Sequence, residues 1–239
     1  KYPTIEQLAK HINSTTNFSN IPVGDFEKSS HTTSKSLKIT VLFALPCAVG
    51  MSMLSKPILA LVYNNINATS TLSILSVAIV FVSLVLVTNA VLQATGNEMI
   101  PVINMLIGGT AKILINFYLV ANPKININGA PIGTTLCYGI ILILNIFAIK
   151  RKLKVKLPPP ELIFKPGISA LAMGIVLYFV SPLFKDMGRI VAAGLPILIG
   201  AATYGISIVL FRGINEEDIA LLPKAELLTK ICKKLRIIG

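Results

Sequence analysis

The sequence has no tryptophan and only ten acidic residues among 239. The acids are Glu6, Asp25, Glu27, Glu98, Glu161, Asp186, Glu216, Glu217, Asp218 and Glu226. All fall in polar segments or at the ends of apolar runs, and none lies inside one. That absence disfavours a relay of membrane-embedded carboxylates. Cysteine is sparse too, with Cys47, Cys137 and Cys232 odd in number and scattered. Such a set offers no disulfide framework and no metal-ligand spacing, and predicts reduced, structural thiols. His11 and His31 stand apart from any acid and nucleophile pattern, and no phosphate-binding glycine loop is present. An enzyme is therefore disfavoured, and neither cofactor nor metal is expected. No signal-peptide pattern opens the chain.

What the sequence does hold is apolar length. Hydrophobic residues make up 54 % of it and charged residues 13 %, against about 25 % charged in soluble domains. Several windows of about 20 residues are nearly free of charge, the signature of membrane-spanning helices. The expected fold is all-α, a polytopic membrane bundle of six spans near 37–63, 71–94, 98–120, 129–149, 166–184 and 190–211. Around them the chain divides into a cytoplasmic polar segment (1–36) and four transmembrane helices (37–149). A basic Pro-rich linker (150–165), two further transmembrane helices (166–213) and a basic amphipathic cytoplasmic tail (214–239) follow. Within 1–36, residues 2–12 suit a short surface helix and the rest reads as loop.

Charge places these segments. The formal net charge is +12. Most of the basic residues lie in the N-terminal segment, the linker and the tail. The opposite loops hold Lys124, Lys185 and Arg189. This bias predicts a multi-pass protein of the plasma membrane with both ends of this sequence cytoplasmic. The linker KRKLKVKLPPPELIFK lacks aromatic stacking partners other than Phe164. Anionic lipid explains it better than nucleic acid.

The candidate site is in the third span, PVINMLIGGTAKILINFYLV. Asn104, Gly108, Lys112 and Asn116 are four apart, so on a helix they share one slowly drifting stripe. Polar atoms avoid lipid, so the stripe should face protein or a wet cavity. Lys112 has no acid in any span to pair with. Either an anionic ligand neutralises it, or a missing segment does, or it reaches water; as plain structure it would snorkel or hold helices together. Asn89 and Gln93, four apart in the second span beside Thr88, are further substrate-path candidates. Gly96 and Asn97 give a tight turn, so the second and third spans should be antiparallel neighbours. Pro46 predicts a kink in the first span. Gly129 and Gly133 form a G-x-x-x-G pair that allows close helix approach.

Three stretches resemble a known family: LKITVLFALPCAVGMSMLSKPIL, VTNAVLQATGNEMIPVINMLIGGTAKILINFYLV and NINGAPIGTTLCYGIILILNIFAIKR. They look like the later helices of the stage V sporulation protein B group. That group is in the polysaccharide-transporter branch of the multidrug/oligosaccharidyl-lipid/polysaccharide flippase superfamily; the MurJ lipid II flippases are more distant relatives. The specific parts are Q-x-x-G-x-x-x-x-P (Gln93, Gly96, Pro101), K-x-x-x-N (Lys112, Asn116) and G-A-x-I-G-T (Gly129 to Thr134). The resemblance implies a fourteen-helix, two-lobed flippase of undecaprenyl-linked polysaccharide or peptidoglycan precursors, working by alternating access. The six spans would be its second lobe, a C-terminal fragment whose partners are membrane lipids, the lipid-linked substrate and a missing N-terminal lobe. The same superfamily offers a second reading, a cation-coupled multidrug exporter. A third reading is a membrane scaffold for cell-wall synthesis enzymes recruited by the basic tail.

Overall fold

Pro57 has no N–H to give the Met53 carbonyl four residues back, and its ring crowds that carbonyl. The first long helix, α1 (Val23–Met53), accordingly ends there, and a short α2 (Ser55–Val62) resumes after Leu54. The computed structural model describes residues 23–153, 161–185 and 187–211. Its remaining helices are α3 (Thr69–Ala94), α4 (Met99–Val120), α5 (Gly129–Leu153), α6 (Glu161–Val180) and α7 (Arg189–Leu210). One turn of 3₁₀ helix precedes α5 at Asn126–Asn128, and another follows α6 at Ser181–Phe184. Among the described residues, six stretches are long and apolar enough to cross a membrane: Thr32–Met53, Thr69–Ala94, Met99–Val120, Asn126–Lys152, Phe164–Phe184 and Arg189–Leu210.

Three expectations need adjusting. Residues 23–36, read as loop, belong to α1, because the backbone helix begins well before the apolar span it carries. The linker expected over 150–165 is narrower: α5 runs to Leu153 and α6 starts at Glu161. The proline run within it and the amphipathic tail lie outside the described residues, as does the surface helix expected over 2–12. The third adjustment concerns packing order. The α3–α4 turn is short, as Gly96 and Asn97 imply. Gly96 has φ +74°, and it closes α3 with Gly96 N–H on Gln93 O (3.0 Å) and Asn97 N–H on Leu92 O (2.9 Å). That pair is the Schellman arrangement, which glycine adopts without strain. Yet α4 touches α3 only sparsely and leans on α5 instead, while α3 packs between α1 and α5. A short turn fixes only the adjacent ends of two helices; the faces decide the rest. On the other flank α6 joins α1 to α7.

Three apolar clusters form among the described residues, the smallest from Leu92 of α3 and Ile149 of α5. Val85, Cys137, Ile141 and Leu142 fill the α3–α5 contact, and Leu54, Met173 and Leu177 fill the one between α1 and α6. Outward faces are apolar as well: Phe117, Tyr118, Ile143 and Leu198 are all exposed. Helices this apolar on every side suit hydrocarbon, where polar groups must turn inward. Cys47 is exposed and Cys137 buried, and both are free thiols.

Pro46, inside α1, leaves the Leu42 carbonyl without its helical donor. The Tyr204 hydroxyl of α7 donates to that oxygen at 2.7 Å. In lipid such a freed carbonyl must find a partner within the protein. Tyr204→Phe is expected to cost about 1 kcal/mol of stability. In a Pro46→Ala background the cost should shrink, because the alanine N–H reaches Leu42 again. A double-mutant cycle on unfolding of the purified full-length protein reads this directly. Equal costs in both backgrounds would show that the two residues are not coupled.

Candidate functional site

A spacing of four drifts by about 40° per step around a helix, so a stripe of four residues cannot stay on one line. In α4 that drift divides the predicted stripe. Asn104 and Gly108 are buried, whereas Lys112 and Asn116 are half-buried. All four lie toward α5, which runs antiparallel to α4. Asn104 meets Asn145, Gly108 meets Ile141 and Cys137, and Asn116 meets Gly133. At the end of the pair Gly129 lies against the backbone of Leu119 and Val120. The three glycines therefore all sit where α4 and α5 come closest.

One fully buried amide was not among the sequence candidates. Asn145 of α5 is 0 % exposed and joins three helices. Its Nδ2 donates to Thr88 Oγ1 (2.9 Å) and Asn89 Oδ1 (2.7 Å) of α3. Its Oδ1 accepts from Asn104 Nδ2 of α4 at 2.8 Å. The Thr88 hydroxyl donates its own hydrogen bond to the Leu84 carbonyl at 2.9 Å, and Asn89 Nδ2 approaches Met105 Sδ at 3.8 Å. The amide of Asn145 thus uses both its donors and its acceptor inside protein. A lone asparagine in the apolar run GIILILNIFAI was the available signal, since an amide in a span needs a reason.

The other candidates stand apart from this network. Gln93 is exposed. The buried face of α3 follows Val85, Thr88, Asn89 and Leu92, and Gln93 falls just past it. Lys112 lies about 12 Å further along α4 than Asn104. Its charge is near the Cys137 thiol, and no ion pair to it is present among the described residues. Asn116 Oδ1 is buried against Gly133 and has no hydrogen-bond donor among the described residues. The arrangement is one buried amide cluster near one end of α4, then a half-buried ammonium near its middle.

A family model described as MurJ, the lipid II flippase, matches residues 17–195, most of the chain. The chain belongs to the MurJ lipid II flippase family. The match takes in α1 to α5, the described part of α6 and the start of α7, so both the amide cluster and Lys112 lie within the MurJ-like region. The family's name is that of a transporter, and the six apolar stretches make this MurJ-family chain a multi-pass membrane protein. A membrane protein of Bacillus subtilis (strain 168), YabM, described as uncharacterized, is 29 % identical over 117 residues. That match covers 49 % of this chain but only 22 % of YabM. No solved structure matches the chain.

Proposed function

We propose that the chain is the second lobe of a fourteen-helix flippase that carries an undecaprenyl-linked polysaccharide or peptidoglycan precursor across the plasma membrane by alternating access. The family match over residues 17–195 carries this reading. The Q-x-x-G-x-x-x-x-P, K-x-x-x-N and G-A-x-I-G-T motifs support the finer placement in the stage V sporulation protein B group, with a role in sporulation or polysaccharide synthesis. The basic N-terminal segment, linker and tail belong on the cytoplasmic side. A missing first lobe supplies the second body that alternating access needs.

In this reading Lys112 faces a phosphate of the passenger as it crosses, with Asn116 one turn away. A half-buried ammonium without a carboxylate favours an anionic ligand over a cationic drug. Gln93, exposed on α3, is free to meet the same path. Asn89 and Asn104, held by Asn145, position the helices.

The test is translocation of a labelled undecaprenyl-pyrophosphate saccharide by the full-length protein in vesicles. Lys112→Ala should slow it by about tenfold or more, the equivalent of about 1.4 kcal/mol, and Lys112→Arg should keep most of it. An unchanged rate in Lys112→Ala would remove the residue from the path. Export of a cationic dye without movement of the lipid would point to the multidrug reading. Intact movement after deletion of residues 224–239, with loss of a cell-wall synthesis partner, would favour the scaffold.

A further inference from the structure

Three spans end at one level of the bundle, and their ends enclose a basic cavity. Its volume is about 650 Å³, and it lies between the α1–α2 junction, the 3₁₀ turn after α6 and the start of α7. Lys56, Lys185 and Arg189 line it, one from each of these places, together with Pro57, Ser181 and Gly188. No carboxylate is among the described residues that line it; Asp186 lies outside the described residues. Apolar side chains of Met53, Ile66, Leu177 and Tyr178 form the rest of the wall.

Each feature has a chemical meaning. Position at the span ends puts the cavity where lipid headgroups lie. Three cations with no carboxylate among the described lining residues attract a singly or doubly charged anion. The N-terminus of α7 adds to them: Gly188 precedes it with φ +88° and offers no side chain to cap its first N–H groups. Those groups and the helix dipole favour negative charge. The volume falls within the range of small-molecule sites, so a glycerophosphate-sized group fits. The apolar wall toward the membrane suits the first carbons of an acyl chain.

We infer that this cavity binds the phosphate-bearing headgroup of an anionic phospholipid from the surrounding bilayer. The site is separate from Lys112 and does not rest on the transport reading. It sits at the opposite end of the spans from the Gly96 turn and the C-terminal end of α5.

The experiment counts phospholipids that stay bound to the full-length protein by native mass spectrometry, after extraction from vesicles containing phosphatidylglycerol. Each cation near a headgroup is worth roughly fivefold in affinity, so Lys56→Gln, Lys185→Gln and Arg189→Gln together should weaken retention on the order of 100-fold. Lys124→Gln, a basic residue at the same end but outside the cavity, should leave it unchanged. Inorganic phosphate at millimolar concentration should not displace the lipid. Retention by the triple variant within about twofold of wild type would overturn the site, and so would equal loss in Lys124→Gln. Displacement by inorganic phosphate would show a free-anion site in place of a lipid site. All three substituted side chains are exposed, so helicity by circular dichroism should stay constant and separate binding from folding.

Discussion

Asn145→Leu should destabilise the bundle by about 2–3 kcal/mol, the largest effect expected of any polar substitution here. Leucine matches asparagine in heavy-atom count and branching, so no cavity is left and the main loss is polar. It comes from the groups left behind. Asn104 Nδ2 and Asn89 Oδ1 each lose their partner at 2.8 and 2.7 Å, inside a region water does not reach. Thr88 suffers less, because its hydroxyl still donates to the Leu84 carbonyl. Hydrogen bonds between membrane helices average about 0.6 kcal/mol, so bond loss alone would give roughly 2 kcal/mol and stranded amides add the remainder. The same logic makes a second outcome diagnostic. Replacing Asn89, Asn104 and Asn145 together by leucine should cost less than Asn145→Leu alone, since no buried amide then lacks a partner. Denaturant or thermal unfolding of the full-length protein measures both. A single substitution that changes stability by less than about 0.5 kcal/mol would mean the amides find other partners.

Gly129→Ala is the second large effect, at about 2–3 kcal/mol. A Cβ at this position would lie 2.8 Å from the Leu119 carbonyl carbon and 2.9 Å from Val120 N. Those atoms are backbone and cannot rotate aside, so the α4–α5 pair would have to separate. Separation would be felt along the whole contact, at Gly133 against Asn116 and at Gly108 against Ile141. Gly109 is the internal control. An added Cβ there meets nothing within 4 Å. Gly109→Ala should therefore be neutral or stabilise by about 0.5–1 kcal/mol, because alanine is the better helix former. Comparable losses at Gly109 and Gly129 in the same unfolding assay would show that glycine flexibility, and not close approach, is what α4 and α5 require.

The candidate residues divide by how local their signal is. Asn89 and Asn104 were legible as amides in apolar spans, and the structure brings them to one cluster. Their shared partner was not, because Asn145 is more than 40 residues from either and only packing brings it to them. Gln93 shows the opposite failure. It is one helical turn from Asn89, but a spacing of four rotates it by about 40°, enough to leave the buried face. Lys112 keeps its place near the middle of α4, half-buried. The polar 23–36 stretch reads as loop because hydropathy marks where a helix meets lipid, not where the helix begins.

Local composition alone determined that the described residues hold six helices fit to cross a membrane and that acids stay out of those apolar spans. Hydrocarbon permits no unsatisfied backbone, so about 20 apolar residues in a row leave only one structure to adopt. Which helix lies beside which was decided in three dimensions. α4 follows α5 rather than its sequence neighbour α3, because Gly108, Gly129 and Gly133 let those two backbones approach and Asn145 holds the group together. Such choices depend on the rotation of each helix about its axis, and rotation is fixed only when all the faces meet.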